Sequence, residues 1–157
     1  MPRIEFTLDS DVAPERVLAA AADFSDRRPE LWPNLSRRYY KVHERGDTWA
    51  EATEGSDVMG GIWARERYDW STPGTVRANV VDSNVFAGGT WELRAEPNDR
   101  GGSRIHVVND RRPKGKGRVA AVMMTFMGKQ LLRKQLERTV AILEGQPSPD
   151  ATTTHTT

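Results

Sequence analysis

The feature that most restricts the fold of this chain is a long helical segment near its end, predicted over residues 118–144. At 1.5 Å per residue such a helix would be about 40 Å long, enough to cross a whole domain. Its first half, residues 119–127, is apolar on every side except at Thr125. Its second half has an apolar stripe (Leu132, Leu136, Val140 and Leu143) opposite a basic face (Lys129, Arg133, Lys134 and Arg138). We therefore expect the rest of the chain to wrap around this helix.

The segments before the long helix have the pattern of an antiparallel sheet. Ile4, Phe6 and Leu8 alternate with polar residues, which predicts a half-buried first strand. Two short helices should follow, one beginning at Pro14 and one over residues 26–31. Six further strands are predicted at 36–43, 48–54, 61–70, 75–82, 89–96 and 103–110, joined by turns that contain Gly or Pro. The predicted fold class is α+β with a helix-grip layout: a seven-stranded curled antiparallel sheet wrapped around a long C-terminal helix.

Composition excludes several classes of site. A chain of 157 residues is long enough for one domain with a real core. It has no cysteine, which excludes disulfides, thiolate metal sites and cysteine nucleophiles. The histidines, His43, His106 and His155, lack metal-ligand spacing, and no phosphate-loop or dinucleotide motif occurs. We therefore expect neither a metal nor a cofactor.

The two ends of the sequence bear on location and domain organisation. The first residues lack the apolar core of a signal peptide, and no apolar run approaches the ~18 residues of a membrane span. A cytoplasmic protein without a membrane span is therefore expected. The last residues are mostly Thr with Pro and Ser, a composition too polar to fold. We expect one domain over residues 1–144 and a disordered polar tail over residues 145–157.

Basic residues are concentrated in one part of the chain. The net charge is only +1, but residues 111–138 carry nine Lys or Arg and one acid. Arg111, Arg112 and Lys114 precede the start of the long helix, where the helix dipole favours anions. One hypothesis places a ligand carboxylate or phosphate there; the alternative is that Asp110 and loop acids neutralise the run. Nucleic-acid binding is not expected, because the five tryptophans are not interleaved with the basic residues.

Several segments resemble a known superfamily. Residues 11–17 together with Ala22-Asp23-Phe24 resemble the opening of the SRPBCC superfamily, the START-like group that includes polyketide cyclases and lipid-transfer proteins. Residues 66–69, residues 101–105 and the final helix fall where that family has them, so the resemblance covers about residues 3–144. It implies a deep cavity between sheet and long helix, in which family members bind lipids, sterols, polyketides or other aromatic compounds. A minority of members catalyse cyclisation, dehydration or hydrolysis, but no catalytic set of the family can be matched to this sequence.

Apolar residues at loop tips suggest where such a cavity would open. Turns of a meander alternate between the two ends of a sheet, and two turns at one end carry the pairs Val58-Met59 and Val85-Phe86. Large apolar groups on loop tips are typical of a ligand portal or a partner surface. The apolar first half of the long helix, with Met123 and Met127, is expected at the same end. In the alternative interpretation the loops fold inward and fill the cavity.

A hairpin with its tip at Arg45-Gly46 would pair Val42 with Trp49 and Tyr40 with Glu51, and this aromatic side is expected to face inward. An inward Glu51 could act as a proton donor with Tyr40 nearby, or be paired with a neighbour. Which side of residues 61–82 faces inward is left open, whereas Trp91, Leu93 and Ala95 are expected inside. The predicted ligand-binding residues are Tyr40, Trp49, Glu51, Met59, Trp63, Phe86, Trp91, Val119, Met123, Phe126 and Met127.

Three functions are compatible with this pattern. The first is binding or transport of a hydrophobic or aromatic small molecule, lipid-like or polyketide-like, in an internal cavity. The second is an enzyme of the cyclase or dehydratase type, which an inward carboxylate close to a Tyr or His would favour. The third is protein interaction through the apolar loop tips. A homodimer is compatible with each of them.

Overall fold

The computed structural model describes residues 3–115 and 118–145, with side chains for all of these except Met59 and residues 118–127. The elements are β1 (Ile4–Ser10), α1 (Pro14–Ala21), α2 (Arg28–Leu31), β2 (Lys41–Arg45), β3 (Trp49–Ser56), β4 (Ile62–Asp69), β5 (Thr75–Ser83), β6 (Phe86–Pro97), β7 (Ser103–Pro113) and α3 (Arg118–Gly145). A single 3₁₀ turn, Val58–Gly60, joins β3 to β4. The predicted tail beyond Gly145 lies outside the described residues.

All seven strands form one antiparallel sheet in the order β1-β7-β6-β5-β4-β3-β2. Strands β2 to β7 form a meander, and β1 pairs with β7, so β1 and β2 are the two edges. The sheet is curled but not closed, with α1 and α2 following β1 and α3 at the C-terminal end. The helix-grip fold predicted from the sequence is confirmed.

The core lies between the inner side of the sheet and α3. Alternate residues of β1 are buried, as their spacing predicts, and Leu93, Ile105 and Val107 lie beside them on the inner side of β6 and β7. The predicted stripe of α3 is confirmed: Leu136, Val140 and Leu143 are buried, and Leu132 is half-buried. Among the described residues, no helix is both long and apolar enough to cross a membrane.

Strand β2 begins later than predicted. Residues 36–40 form tight turns, in which the Tyr39 amide donates to the Ser36 carbonyl (3.1 Å) and the Tyr40 amide to the Arg37 carbonyl (3.3 Å). The expected pairing of Val42 with Trp49 is also wrong, because Val42 lies opposite Ala52 and a bulge interrupts the pairing after it. Tyr40 consequently lies outside the strand and does not face Glu51.

The inner and outer sides of β3 are the reverse of the prediction. Ala50 and Ala52 are fully buried, whereas Trp49 and Glu51 lie on the outer side. The side chains on the inner side of β3 have to be small because Tyr68 lies directly opposite Ala50. The Phe24 ring also packs there, with its centre 4.8 Å from that of the Tyr68 ring.

Arginine side chains of β4 contact the residues on the outer side of β3. The Arg67 guanidinium stacks 4.2 Å from the centre of a Trp49 ring, and Arg65 forms an ion pair with Glu51 at 2.5 Å. Cation–π contact and ion pairing therefore replace the burial that was expected there. On β4, where the sequence left the facing open, Glu66 and Tyr68 point inward and Arg65 and Arg67 outward.

Candidate functional site

A cavity of about 200 Å³ lies between the inner side of the sheet, the segment around α2, and the second half of α3. Most of its wall is apolar or small: Phe6, Trp32, Leu35, Gly55, Ile62, Trp63, Ala64, Phe86, Trp91, Val107, Leu132 and Leu136. Its polar lining residues are Arg28, Asn34, Glu54, Ser56, Glu66, Tyr68, Arg111 and Gln135. An apolar cavity with a few convergent polar groups is the usual form of a small-molecule site.

Aromatic rings form a large part of the wall. The Trp32 and Trp91 rings meet edge to face with centroids 6.5 Å apart, and the Tyr68 and Trp91 rings are 6.4 Å apart at an angle of 67°. Edge-to-face pairs of this kind hold their rings in fixed orientations.

Arg28 is the most buried charged group in the cavity wall, with 3% of its side chain exposed. Its Nε donates to Glu54 Oε1 at 2.5 Å, and its Nη1 donates to the carbonyl oxygens of Ala21 (2.9 Å) and Asp23 (3.0 Å). The guanidinium also lies 4.1 Å from the centre of the Phe24 ring. Arg28 thereby connects the end of α1 and the start of α2 to β3.

Burial alone would lower the pKa of the Arg28 guanidinium, but the Glu54 carboxylate raises it above its ordinary value. The same balance operates at Arg111, where burial is outweighed by Glu66 and the pKa is again raised. Both guanidinium groups are therefore permanently charged components of the wall.

The second polar cluster is centred on Glu66, of which 4% of the side chain is exposed. Arg111 Nε donates to Glu66 Oε1 at 2.7 Å, and the Tyr68 hydroxyl donates to Glu66 Oε2 at 2.9 Å. Arg111 Nη1 also donates to Asn109 Oδ1 at 2.9 Å. Both carboxylate oxygens of Glu66 are therefore occupied by protein donors.

The ion pair between Glu66 and Arg111 crosses the inside of the sheet. Glu66 lies on β4 and Arg111 on β7, with β5 and β6 between them. Across a flat sheet, three strand spacings would separate the two backbones by about 14 Å. The Arg111 Nη2 and Glu66 Oε1 atoms are nevertheless only 2.6 Å apart. The curl of the sheet is what brings these two side chains together.

Two tyrosines near the cavity have raised pKa values. Burial raises the pKa of Tyr40, whose hydroxyl donates to the Ser25 carbonyl at 3.0 Å, to about 12. Burial, together with the Glu54 and Glu66 carboxylates, raises the pKa of Tyr68 well above its ordinary value. Neither hydroxyl is therefore a ready proton donor near neutral pH.

These pKa values predict a loss of stability at high pH. In the unfolded chain both hydroxyls titrate near pH 10 and release their protons before the folded state does. We expect the contribution of Tyr40 and Tyr68 to the free energy of unfolding to be fully present below pH 10 and to be lost as the pH rises towards about 12 and beyond. Urea denaturation at a series of pH values measures how steeply the free energy of unfolding falls as the pH rises. Tyr40→Phe and Tyr68→Phe should each reduce this pH dependence. An unchanged pH dependence in the double variant would show that it does not arise from these two tyrosines.

The structure brings together only some of the residues proposed from the sequence. Trp63, Phe86, Trp91 and Arg111 line the cavity, whereas Tyr40, Trp49 and Glu51 do not. Arg112 is exposed, and Lys114 Nζ donates to the Ser83 carbonyl at 3.1 Å. The side chains of Met59, Val119, Met123, Phe126 and Met127 lie outside the described residues.

The ion pair of Arg111 bears on the hypothesis that a ligand anion binds before the long helix. The counter-charge of Arg111 is Glu66 on β4, which neither sequence interpretation named. Within the described side chains, no group of three or more His, Asp or Glu residues could hold a metal ion.

Sequence reasoning missed Arg28, Asn34, Glu54, Glu66 and Tyr68. One signal for Glu54 was present: it shares a side of its strand with Ala50 and Ala52, and two alanines two residues apart are typical of a crowded inner side. For Glu66 and Tyr68 the alternation was visible, but nothing in it showed which side was the inner one.

Comparison with known proteins places the fold among characterised structures. A sequence model of the family described as "Polyketide cyclase / dehydrase and lipid transport" matches residues 1–144. A START superfamily protein from Mycobacterium smegmatis has a TM-score of 0.71 at 13% identity, over 90% of this chain and 98% of that chain. The Zhui aromatase/cyclase from Streptomyces sp. R1128 has a TM-score of 0.64 at 16% identity, over 91% and 86%.

Norcoclaurine synthase from Thalictrum flavum, in complex with dopamine and hydroxybenzaldehyde, has a TM-score of 0.67 at 9% identity, over 94% of this chain and 89% of that chain. At such identities the likeness establishes the shared fold. No curated protein matches the sequence.

Proposed function

Because the chain belongs to the polyketide cyclase/dehydrase and lipid transport family, within the START-like (SRPBCC) superfamily, we propose that it binds a hydrophobic or aromatic small molecule in the cavity between its sheet and α3. The observation that carries this proposal is the cavity itself, with Trp32, Trp63 and Trp91 in its wall. A concave, mostly apolar space with a few polar groups is the usual form of a small-molecule site.

The size of the cavity limits the ligand. A volume of about 200 Å³ exceeds the ~150 Å³ of a cavity known to hold benzene. It is smaller than the ~300–1,000 Å³ of sites for drug-sized compounds. Compounds of one or two rings fit this range. Norcoclaurine synthase, a protein of the same fold, forms a complex with two single-ring aromatic compounds.

Filling the cavity should weaken ligand binding. Ala64 lies in the cavity wall on the inner side of β4, with 9% of the residue exposed. We expect Ala64→Phe to weaken binding of a bicyclic probe, 2-naphthol, by about tenfold or more, because the new ring occupies the site. Isothermal titration calorimetry measures the affinity, and circular dichroism checks that the variant is folded.

The matched control for this experiment is Ala141→Phe, which adds the same ring at an exposed position of α3. Its affinity for 2-naphthol should equal that of the unmodified protein. Equal binding by the folded Ala64→Phe variant would show that the probe is held elsewhere. Native mass spectrometry of freshly purified protein would identify a ligand that is retained through purification.

A cyclase or dehydratase activity is the second candidate, and a buried carboxylate beside a tyrosine, Glu66 with Tyr68, is the observation that favours it. The geometry supports it less than binding, because Arg111 and Tyr68 already occupy both Glu66 oxygens. Among the described carboxylates of the cavity, Glu54 alone retains an oxygen without a donor. If the protein sped α-hydrogen exchange of α-tetralone and Glu54→Gln did not, that would support catalysis; no acceleration over buffer would remove this candidate.

A further inference from the structure

Two hydrogen-bond acceptors in the cavity wall lack a donor in the described part of the protein. Asn34 Oδ1 is buried and has no hydrogen-bond partner among the residues that the structure describes. Glu54 uses Oε1 to accept from Arg28, whereas its Oε2 accepts from no described residue. A buried acceptor such as Asn34 Oδ1 is rarely left unpaired in folded proteins, because this is unfavourable. Glu54 lines the cavity with 12% of its side chain exposed, so its Oε2 is an acceptor that a ligand can reach.

The formal charges of the cavity wall cancel. Its described charged residues are two arginines and two glutamates, joined as Arg28–Glu54 and Arg111–Glu66. A ligand carboxylate would add an uncompensated negative charge to a partly desolvated site and would meet the free oxygen of Glu54 with a like charge. The site therefore disfavours anionic ligands despite its two arginines.

We propose that the ligand is an uncharged ring compound with a hydroxyl group, a phenol or a ring alcohol, whose O–H donates to Glu54 Oε2 or Asn34 Oδ1. This inference rests on the proposed binding function and adds the chemical class of the ligand. A hydroxyl supplies one donor, which either of these acceptors can take, and a hydrogen bond to the Glu54 carboxylate is stronger than one between neutral groups. The rings of the same compound would contact the aromatic wall.

Three probes with the same two rings separate these contributions. 2-Naphthol has a donor, 2-methoxynaphthalene has an acceptor but no donor, and 2-naphthoate is an anion. Titration calorimetry of the full chain at neutral pH should give an affinity for 2-naphthol about tenfold higher than for the ether. 2-Naphthoate should bind more weakly than either. If the ether binds as tightly as the alcohol, the inference is overturned while aromatic binding stands; if none of the three binds, both proposals fail.

Variants then assign the effect to a residue. Glu54→Gln removes the negative charge and leaves Arg28 without its counter-ion, so the preference for 2-naphthol should fall and 2-naphthoate should gain affinity about tenfold or more. Glu92→Gln is the matched control, because Glu92 is also ion-paired with arginine and little exposed (14%), but it lies on the outer side of the sheet. Its ranking of the three probes should match that of the unmodified protein.

A second variant covers the case in which Glu54→Gln does not fold. Asn34→Leu leaves both ion pairs intact and removes one acceptor. We expect the ratio of the 2-naphthol and 2-methoxynaphthalene affinities to fall at least threefold in this variant or in Glu54→Gln. An unchanged ratio in every folded variant would place the hydroxyl elsewhere and would overturn the inference.

Discussion

Replacing Glu66 with Leu is expected to lower the free energy of unfolding by about 3–5 kcal/mol. The substitution leaves the Arg111 guanidinium, whose side chain is only 16% exposed, without its counter-ion. It also leaves the buried Tyr68 hydroxyl without its acceptor. A buried charge that has lost its partner is among the most destabilising changes a single substitution can make. Urea denaturation followed by circular dichroism measures the effect.

A double variant separates the buried charge from the loss of packing. Glu66→Leu combined with Arg111→Met removes both charges and should recover most of the lost stability, because well-packed apolar residues can replace a buried ion pair at little cost. Glu92→Leu is the surface control and should change stability by less than about 1 kcal/mol, because its arginine partners are more than half exposed. A Glu66→Leu protein within about 1 kcal/mol of the unmodified one would show that the ion pair contributes little.

Replacing Arg28 with Met should be about as destabilising, by roughly 3–5 kcal/mol. The loss would leave the Glu54 carboxylate, of which 12% is exposed, without a donor, together with the carbonyl oxygens of Ala21 and Asp23. The cation–π contact with Phe24 would also be lost. Because these contacts connect the helical segment to β3, we expect the segment around α2 to open locally.

Hydrogen exchange and thermal denaturation test the Arg28 prediction. Faster exchange should be confined at low temperature to residues 21–32, and the midpoint of unfolding should fall. Arg65→Met is the matched control, because Arg65 forms an equally short ion pair with Glu51 on the outer side but is 40% exposed; it should change stability by less than about 1 kcal/mol. The interpretation of Arg28 is wrong if the two variants behave alike.

The elements of the fold could be predicted because each has a local pattern. The alternation in β1, the apolar stripe of α3 and the turns between strands are all visible within about ten residues of sequence. The start of β2 was wrong because residues 36–40 can also form turns, and their hydrogen bonds stabilise that alternative. The predicted facing of β3 is wrong because aromatic character alone favours the inner side. Trp49 is instead covered by Arg67 on the outer side, and Tyr68 leaves room only for alanine on the inner side.

The polar residues of the cavity depend on contacts that no local pattern contains. Arg28 and Glu54 are 26 residues apart, and Glu66 and Arg111 are 45 residues apart. The first pair forms only when α2 packs against β3, and the second only when the sheet curls, so periodicity within one strand cannot reveal either. The predicted portal remains a prediction: Val58 is 58% exposed, as expected of a loop tip, but the side chains of Met59 and of the first part of α3 lie outside the described residues.

The Glu66–Arg111 ion pair links β4 to β7 across the inside of the sheet. β4 and β7 cannot move apart without separating two buried charges. The pair therefore opposes a widening of the cavity between β4 and β7. A ligand that required a wider cavity would have to separate the two charges, which is unfavourable for buried groups.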